Sequence, residues 1–473
     1  MPNPEVVIVG AGPAGMSAAL ALESAGAKVR IVDEQNAPGG QIYRAVDRVA
    51  RERPESLDMY GTDYSRGLEI TGLLADSGVE ISFETAVWDI SIQGDELRIG
   101  LVQGDRAEIA YPKHIILATG AMERPTPFPG WTLPGVMTVG AAQTLFKESA
   151  LVPDSRPVIA GSGPLVYLFA RQMIAAGAKP AVILDTGPRR IQTSSWKPLL
   201  RAFFVDSKSL LTGVAWLKDI QRAGIERISG IESLKASGGE RLESVEYRSA
   251  GKTVELASEL LLVHDGVIPN SHLAMAAGCE HRWNPLQEYW YPLLDGNGVS
   301  TRPGISIAGD GAGIGGADGA LCTGRIVGWN VLRALGFVDE SRCRGETRDY
   351  RRRLNKLTAV REFLDCHYKP FDYFQLPLES ETIVCRCEQV TVADIREVAA
   401  LGCMGPNQGK AFTRCGMGPC MGRQCGNSVS QLFAHFHGKD VAEIGHYRIR
   451  SPVRPLTVGH LSNLQEPVGF RCS

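Results

Sequence analysis

Cysteine is concentrated in one short part of this chain. Of 11 cysteines in 473 residues, six fall between Cys385 and Cys425, as Cys385-x-Cys387, two isolated cysteines, and Cys420-x4-Cys425. Two close pairs can bring four thiolates to one centre, and tetrahedral sulfur suits zinc or an iron–sulfur cluster. Zinc modules favour pairs separated by two to four residues, so the Cys-x-Cys pair favours iron–sulfur but leaves zinc open.

The chain opens on a second pattern that can carry chemistry, a glycine-rich turn. The run VVIV (Val6–Val9) is followed by Gly10, Gly12 and Gly15 and then by an Ala/Leu-rich helical pattern. Gly10 permits a tight turn, Gly12 lets the backbone approach a pyrophosphate, and Gly15 lets the helix pack closely on the strand. The helix N-terminus then faces the phosphates, whose charge its dipole favours by ~1 kcal/mol.

A carboxylate follows this turn at the sequence offset expected of a ribose-binding acid. A second apolar strand, KVRIV, leads to Asp33 and Glu34, and Glu34 lies 19 residues beyond Gly15. At an offset of ~20 residues a carboxylate can accept the hydroxyls of an adenosine ribose, so we prefer Glu34 to Asp33 for this role. Strand, turn, helix and acid in this order predict a dinucleotide-binding unit.

Three further segments resemble the flavin-binding marks of the two-dinucleotide-binding-domain flavoproteins, the glutathione reductase and thioredoxin reductase superfamily. They are APGGQIYR after Glu34, IILATGAMERP (Ile115 to Pro125) and GISIAGDGAGIGGADGAL (Gly304 to Leu321). The resemblance implies bound FAD, with its ribityl chain on Asp310. The FAD-binding residues that it implies are Gly10, Gly12, Ala14, Gly15, Asp33, Glu34, Gly40, Gln41, Thr119, Gly120, Gly309 and Asp310.

The strand–turn–helix–strand pattern recurs between Pro157 and Gly187. Gly161 and Gly163 form its turn, and Asp185 ends its second strand. The resemblance places here a nicotinamide-nucleotide domain inserted between the two halves of the FAD domain. The third glycine position holds Val166, which weakens the expectation of NAD(P). NAD(P), another adenine nucleotide and a retained scaffold without a ligand all stay open.

The remaining cysteines exclude one activity of this superfamily. Its disulfide reductases use a close cysteine pair beside the flavin, and no Cys-x-x-Cys or Cys-x4-Cys pair occurs before residue 385. A disulfide reductase is therefore not expected.

The cysteine-rich segment resembles the bacterioferritin-associated-ferredoxin-type [2Fe–2S] domain over residues 381–437. The form CRCE…TRCGMGPCMGRQC is shared with the large flavin subunit of anaerobic glycerol-3-phosphate dehydrogenase. It is also shared with the alpha subunits of opine oxidases, hydroxyproline dehydrogenases and hydrogen cyanide synthase, whose two nucleotide domains fit better. The resemblance implies Cys385, Cys387, Cys420 and Cys425 as ligands, with Cys415 as a thiol beside the cage.

These patterns predict an α/β fold of two Rossmann-like dinucleotide-binding domains and a small helical C-terminal [2Fe–2S] domain. The expected parts are an FAD-binding domain (1–125 and 290–340), an inserted nucleotide domain (126–289), a charged linker (341–380), the cluster domain (381–437) and a tail (438–473). They account for nearly the whole chain and leave no domain to enclose an amine substrate. No catalytic residue is assigned.

The resemblance implies an oxidoreductase subunit of the type that uses CH–NH donors. An FAD-containing, amine-oxidase-like beta subunit would oxidise an opine, a D-amino or imino acid or a related secondary amine. Further expected partners are a downstream electron acceptor and a small ferredoxin-like gamma subunit. A stand-alone NAD(P)H-dependent reductase of a ferredoxin or quinone, and a zinc-bearing binding module, are the alternatives.

The charge balance gives no indication of a nucleic-acid partner. Fifty basic and 52 acidic residues leave a formal charge of −2, and 44% hydrophobic residues suffice for buried cores. The N-terminus has no basic region before its first apolar run, and no apolar stretch approaches ~20 residues. We therefore expect a cytoplasmic protein, held at the inner membrane at most through its electron acceptor.

Overall fold

The structure, a computed structural model, describes residues 4–94, 96–189 and 191–465. Its first part alternates strands with helices and ends in an antiparallel ribbon. The elements are β1 (Val6–Val9), α1 (Pro13–Glu23), β2 (Val29–Val32), α2 (Val46–Glu52), α3 (Ser56–Tyr60), α4 (Thr62–Ser65), α5 (Gly67–Ala75), β3 (Glu80–Ser82), β4 (Thr85–Gln93), β5 (Glu96–Gln103), β6 (Arg106–Ala110), β7 (His114–Leu117) and β8 (Ala121–Glu123).

The middle of the chain repeats the alternation. Its elements are β9 (Val136–Thr138), α6 (Val139–Ser149), β10 (Val158–Gly161), α7 (Pro164–Ala175), β11 (Val182–Asp185), α8 (Trp196–Arg222), β12 (Glu226–Ser229), β13 (Ile231–Ser237), β14 (Ser244–Ser249), β15 (Lys252–Ala257), β16 (Leu261–His264) and β17 (Val267–Pro269).

The last part is mainly helical. Its elements are α9 (His272–Ala276), β18 (His281–Asn284), β19 (Tyr289–Pro292), β20 (Ile305–Ile307), α10 (Gly316–Ala334), α11 (Glu340–His367), α12 (Asp372–Gln375), β21 (Ile383–Cys385), β22 (Val390–Thr391), α13 (Val392–Ala400), α14 (Pro406–Thr413), α15 (Gly426–His437), α16 (Val441–Ile444), α17 (Val458–Ser462) and β23 (Leu464–Gln465).

Two parallel sheets organise the first two parts. Strands β20, β7, β1, β2 and β3 form one sheet in that order, and β12, β11, β10, β16 and β9 form the other. Strand β1 is buried at every position, as a central parallel strand requires. Because β20 completes the first sheet after the whole second sheet has been formed, the second unit is inserted into the first. The predicted α/β class with a helical C-terminal part is confirmed.

The charged segment that we expected to be a linker is a structured element. Helix α11 spans 28 residues and begins at Asp339, whose side chain accepts a hydrogen bond from the backbone N–H of Arg342. It packs along α8 of the second unit and α10 of the first. Helix α11, which forms most of the segment 341–380, therefore packs on both units.

The segment after α16 returns to the first unit instead of forming a free tail. The backbone N–H of Val453 donates to the carbonyl of Trp88 at 2.9 Å, and β23 pairs in parallel with β6. Tyr447 is buried among the residues of the cysteine-rich part. The last residues of the expected tail, 466–473, lie outside the described residues.

None of the described helices is long and apolar enough to cross a membrane.

Candidate functional site

The turn between β1 and α1 requires glycine at two positions. Gly10 has φ +110°, and a Cβ there would lie 2.4 Å from the carbonyl oxygen of Ala118. A Cβ on Gly15 would lie 1.9 Å from the carbonyl oxygen of Gly10. Gly12 differs, because the nearest atom to a Cβ there is the Cα of Gly40 at 3.8 Å. The turn is thus packed on its inner side and open at Gly12, where a phosphate group can approach the backbone.

The carboxylate that reaches this turn belongs to Asp33. Its Oδ2 accepts a hydrogen bond of 2.6 Å from the backbone N–H of Ala11, and its Oδ1 accepts one from Gln35. Glu34 forms an ion pair with Arg454 instead. Strand β2 ends at Val32, so Asp33 is the first residue beyond the strand and lies beside the turn, which favours Asp33; the choice between Glu34 and Asp33 as the ribose ligand stays a prediction.

The loop with Gly40 and Gln41 is fixed by a residue that sequence reasoning missed. Lys147 of α6 donates from its Nζ to the carbonyl oxygens of Gln41 (3.2 Å) and Ile42 (3.0 Å). Burial, and secondly the charge of Arg44, lower the pKa of Lys147 to about 7. In the sequence KESA this lysine looks like an ordinary polar residue near the end of a helix, so no signal distinguished it.

The other expected FAD residues lie at the carboxyl ends of β7 and β20. The Thr119 hydroxyl donates to the carbonyl of Asn270 at 2.9 Å, and Gly120 accepts from the Asn270 N–H. Asp310 accepts hydrogen bonds from the N–H groups of Gly315 (2.8 Å) and Gly316 (2.9 Å), and its burial raises its pKa.

Gly309 joins these residues to the β1–α1 turn. A Cβ on Gly309 would lie 2.7 Å from the Cβ of Ala14. Strands β1, β7 and β20 are neighbours, and ligands of open α/β sheets bind at the carboxyl ends of the strands. A glycine turn, an open helix N-terminus and buried polar groups at one sheet edge fit an extended dinucleotide such as FAD.

The acid at the corresponding position of the second unit, Asp185, is bound by its own neighbours. Asp185 Oδ2 accepts a hydrogen bond of 2.8 Å from the Tyr167 hydroxyl, its Oδ1 accepts from the N–H of Gly187, and Arg227 lies 3.5 Å away. Gly161 and Gly163 form the turn with φ +150° and +97°. Val166, at the third glycine position, is completely buried. This acid therefore has side-chain partners as well as a backbone N–H, whereas Asp33 of the first unit accepts from the backbone N–H groups of Ala11 and Gln35.

The cysteine-rich part brings five thiols together in two groups. Cys385, Cys415 and Cys425 are all buried, and their sulfur atoms lie within 4.8 Å of one another. Cys387 is exposed and is a hydrogen-bonding neighbour of Cys420. The four expected ligands fall two in each group. Cys415, which we expected beside the cage, is a full member of the first group.

Local backbone features explain how these cysteines meet. Cys385 ends β21, and the Thr391 side chain caps α13 with the reciprocal hydrogen bonds of a capping box. A Cβ on Gly418 would lie 2.3 Å from the Cβ of Cys387, and one on Gly416 would lie 2.6 Å from the ring of Tyr447. Glycine at both positions lets the loop after α14 close over the sulfur atoms.

The three thiols of the first cysteine group shift one another's pKa values. Hydrogen bonds from Cys415 and then Cys425 lower the pKa of Cys385 far below its usual range. The pKa values of Cys415 and Cys425 are raised, in both cases first by the bond to Cys385. One thiolate is therefore stabilised by two thiols, and a metal cation would favour ionisation of the others. This donor set fits a thiophilic metal or cluster.

Helix α9 connects the cysteine-rich part to the flavin cradle. It begins shortly after Asn270, whose backbone is hydrogen-bonded to Thr119 and Gly120. Leu273 of this helix packs against both the core under the first sheet and the core of the cysteine-rich part. The two sites are therefore joined by one short, packed element.

Comparison with known proteins identified two families. The model described as pyridine nucleotide-disulphide oxidoreductase matches residues 4–327, and the sarcosine oxidase A3 domain matches residues 379–463. The opine oxidase A subunit of Rhizobium meliloti is 40% identical over 97% of this chain and 87% of its own length. HcnB, the hydrogen cyanide synthase subunit of Pseudomonas protegens, is 30% identical over 95% of this chain and 96% of its own length.

Solved structures share the fold. The L-proline dehydrogenase of P. horikoshii superposes with a TM-score of 0.70 at 22% identity, covering 97% of this chain and 79% of that chain.

Proposed function

Because the chain belongs to the pyridine nucleotide-disulphide oxidoreductase family, and within it to the group of opine oxidase A subunits, we propose that this oxidoreductase is an FAD- and [2Fe–2S]-containing electron-transfer subunit of a heteromeric dehydrogenase. In this proposal a partner beta subunit with its own FAD oxidises an opine, a D-amino or imino acid or a related secondary amine. FAD accepts electrons in pairs and a [2Fe–2S] cluster transfers them singly, so a chain with both can connect the two modes.

The observation that carries this proposal is that the flavin cradle and the cysteine cage lie in one chain, joined by α9. Gly12 and the N-terminus of α1 would hold the FAD phosphates, and Asp33 and Asp310 would orient the hydroxyl groups. Cys387 with Cys420, and Cys385 with Cys425, would each supply two thiolates to one iron, as a [2Fe–2S] cluster requires. This assignment leaves Cys415 as a hydrogen-bonding thiol.

The heteromer is supported by the relatives. The opine oxidase protein and HcnB are, by their names, subunits of larger enzymes. A downstream electron acceptor and a small ferredoxin-like gamma subunit complete the proposed chain of electron transfer.

The test is to purify the chain, determine its metal and flavin, and assay it alone and with its partner. We expect about two irons, equivalent acid-labile sulfide and one FAD. The chain alone should oxidise no opine or amino acid and should turn over NADH at well below the ~10 per second of an ordinary enzyme. Adding the proposed amine-oxidase-like beta subunit should restore substrate-dependent dye reduction. Rapid NADH turnover by the isolated chain would instead support a stand-alone reductase.

One observation favours a second candidate, a zinc-bearing binding module. The three buried sulfur atoms of Cys385, Cys415 and Cys425 lie within 4.8 Å of one another, and three converging thiols resemble part of a mononuclear site. One zinc and no iron in the purified chain would establish this candidate.

A further inference from the structure

Helix α8 carries an apolar surface that no described residue covers. Of its residues from Trp196 to Arg222, Ala202 and Ile220 are the buried ones. Phe204 is 84% exposed, although burying a Phe side chain is normally favourable. The exposed large apolar residues of α8 are Trp196, Leu200, Phe203, Phe204, Val205, Leu211 and Val214. A patch of this kind marks an interaction surface.

The two halves of α8 are fixed differently. A break in the helical dihedrals at Asp206 (φ −152°, ψ 73°) divides it. After the break, Trp216 and Leu217 pack against the main core. Before the break, Ala202 is buried and Arg201 forms an ion pair of 2.7 Å with Glu362 of α11. The first half is thus held on α11 by one side and presents its aromatic side to the surroundings.

The charges on this surface are mostly positive. Lys197, Arg201, Lys208 and Lys218 are exposed on α8. The one carboxylate between residues 191 and 218 belongs to Asp206, and its oxygens accept hydrogen bonds from the N–H and hydroxyl of Ser209. Lys197 and Lys208 form no ion pair with any residue that the structure describes. The surface therefore combines aromatic side chains with lysines that lack counter-charges.

This combination fits a lipid surface better than a protein. Lysine is depleted at the centres of protein–protein interfaces. Helices that lie in a membrane interface place Trp, Phe and Leu on one face and extend Lys and Arg towards lipid phosphates. We propose that the first half of α8 lies on the surface of an anionic lipid bilayer, with Phe203 and Phe204 inserted at the headgroup level. This inference goes beyond the proposed electron-transfer function and does not depend on it.

The test is flotation of the full FAD-loaded chain with vesicles. Vesicles of phosphatidylglycerol and phosphatidylcholine in equal parts should bind the chain about tenfold or more tightly than vesicles of phosphatidylcholine alone, and binding should weaken as salt is raised. Phe203→Ser combined with Phe204→Ser should weaken binding by about tenfold or more. Lys197→Glu combined with Lys208→Glu should remove the preference for phosphatidylglycerol. Leu73→Ser, at an exposed leucine of α5, is the matched control and should bind normally.

Retained FAD and an unchanged melting temperature will show that each variant is folded. The proposal is overturned when the wild-type chain fails to float with the anionic vesicles, or when the double Phe variant floats as well as the control. It is also overturned when the double Phe variant loses self-association or binding of the amine-oxidase-like subunit while vesicle binding is unchanged, because α8 would then be a protein interface.

Discussion

The Nε2 atom of His272 lies 3.3 Å from the carbonyl oxygen of Met421. Burial, and secondly the neighbouring His446, lower the pKa of His272 to about 3, so the imidazole is neutral at physiological pH. Because a carbonyl oxygen can only accept, Nε2 carries the proton. Met421 has φ +51°, an unfavourable conformation for a residue with a Cβ, and it follows Cys420 directly. The first residue of α9 thus holds the loop of the second cysteine pair.

Replacing His272 tests whether this bond positions the cysteine cage. His272→Ala removes the donor and should lower the free energy of unfolding by about 1 kcal/mol, the usual value of one such hydrogen bond. With the Cys420 loop less restrained, the midpoint potential of the bound metal should shift, and its reduction by the reduced flavin should slow. Unfolding in urea and stopped-flow spectroscopy measure the two effects. His435→Ala, at an exposed histidine of α15, should change neither, and identical behaviour of both variants would refute the positioning role.

Gly12 and Gly15 should respond differently to added side chains. Gly12→Val extends into the open side of the turn, so the chain should fold but purify without FAD. Gly15→Ala places a methyl group against the Gly10 carbonyl and should lower the melting temperature of the apoprotein as well. Flavin absorbance and thermal unfolding distinguish these effects, with Gly72→Ala, whose Cβ meets no atom within 4 Å, as control. Stoichiometric FAD in Gly12→Val would contradict the cradle.

The cysteine variants decide between the two metal assignments. For a [2Fe–2S] cluster, Cys387→Ser or Cys420→Ser should remove the visible iron–sulfur absorption and leave the flavin bound, whereas Cys415→Ser should have a mild effect. Iron and sulfide analysis of each variant gives the measurement. If Cys415→Ser removes the metal and Cys387→Ser retains it, the buried group of three is the metal site and our ligand set is wrong.

Lys147 predicts a specific pH dependence of stability. Its pKa is about 7 in the folded chain, against ~10.4 for an unfolded lysine. Between about pH 7 and pH 10 the unfolded state therefore binds a proton that the folded state lacks, so this residue makes the free energy of unfolding rise with pH across that range. In Lys147→Met the contribution disappears. Urea unfolding at several pH values should show a shallower rise for this variant, while Lys252→Met, at an exposed lysine, should follow the wild type.

Patterns set by the backbone could be predicted from the sequence. Gly10 and Gly15 are required because any Cβ would meet a carbonyl oxygen. The short spacing between these glycines can therefore be recognised in the sequence. Two such glycine turns predicted two dinucleotide-binding units, whereas the insertion of the second unit into the first was implied by the family resemblance. Thr391 is recognisable as an N-cap for the same reason, because a capping side chain acts within three residues.

Long-range contacts could not be predicted. Glu34 lies nearer than Asp33 to the offset expected of a ribose-binding acid, but it forms an ion pair with Arg454 from a distant part of the chain. No local sequence pattern indicates that contact. The hydrogen bond from Tyr167 to Asp185 and the burial of Lys147 also depend on contacts that the local sequence does not indicate. The many charged residues of α11 suggest an exposed helix, and they give no sign that α11 packs on α8 and α10.

The segment after α16, which covers part of the cysteine cage, is synthesised after the cysteines themselves. Tyr447, which packs on Gly416 and Gly422 beside the thiols, and Val453, which binds the first unit, both leave the ribosome after every cysteine of the cage. During synthesis the thiols are therefore exposed to the solvent for a time before this wall covers them. A metal bound by the buried thiols would meet no wall in that interval, whereas the residues of the flavin cradle, which end at Asp310, have already been synthesised.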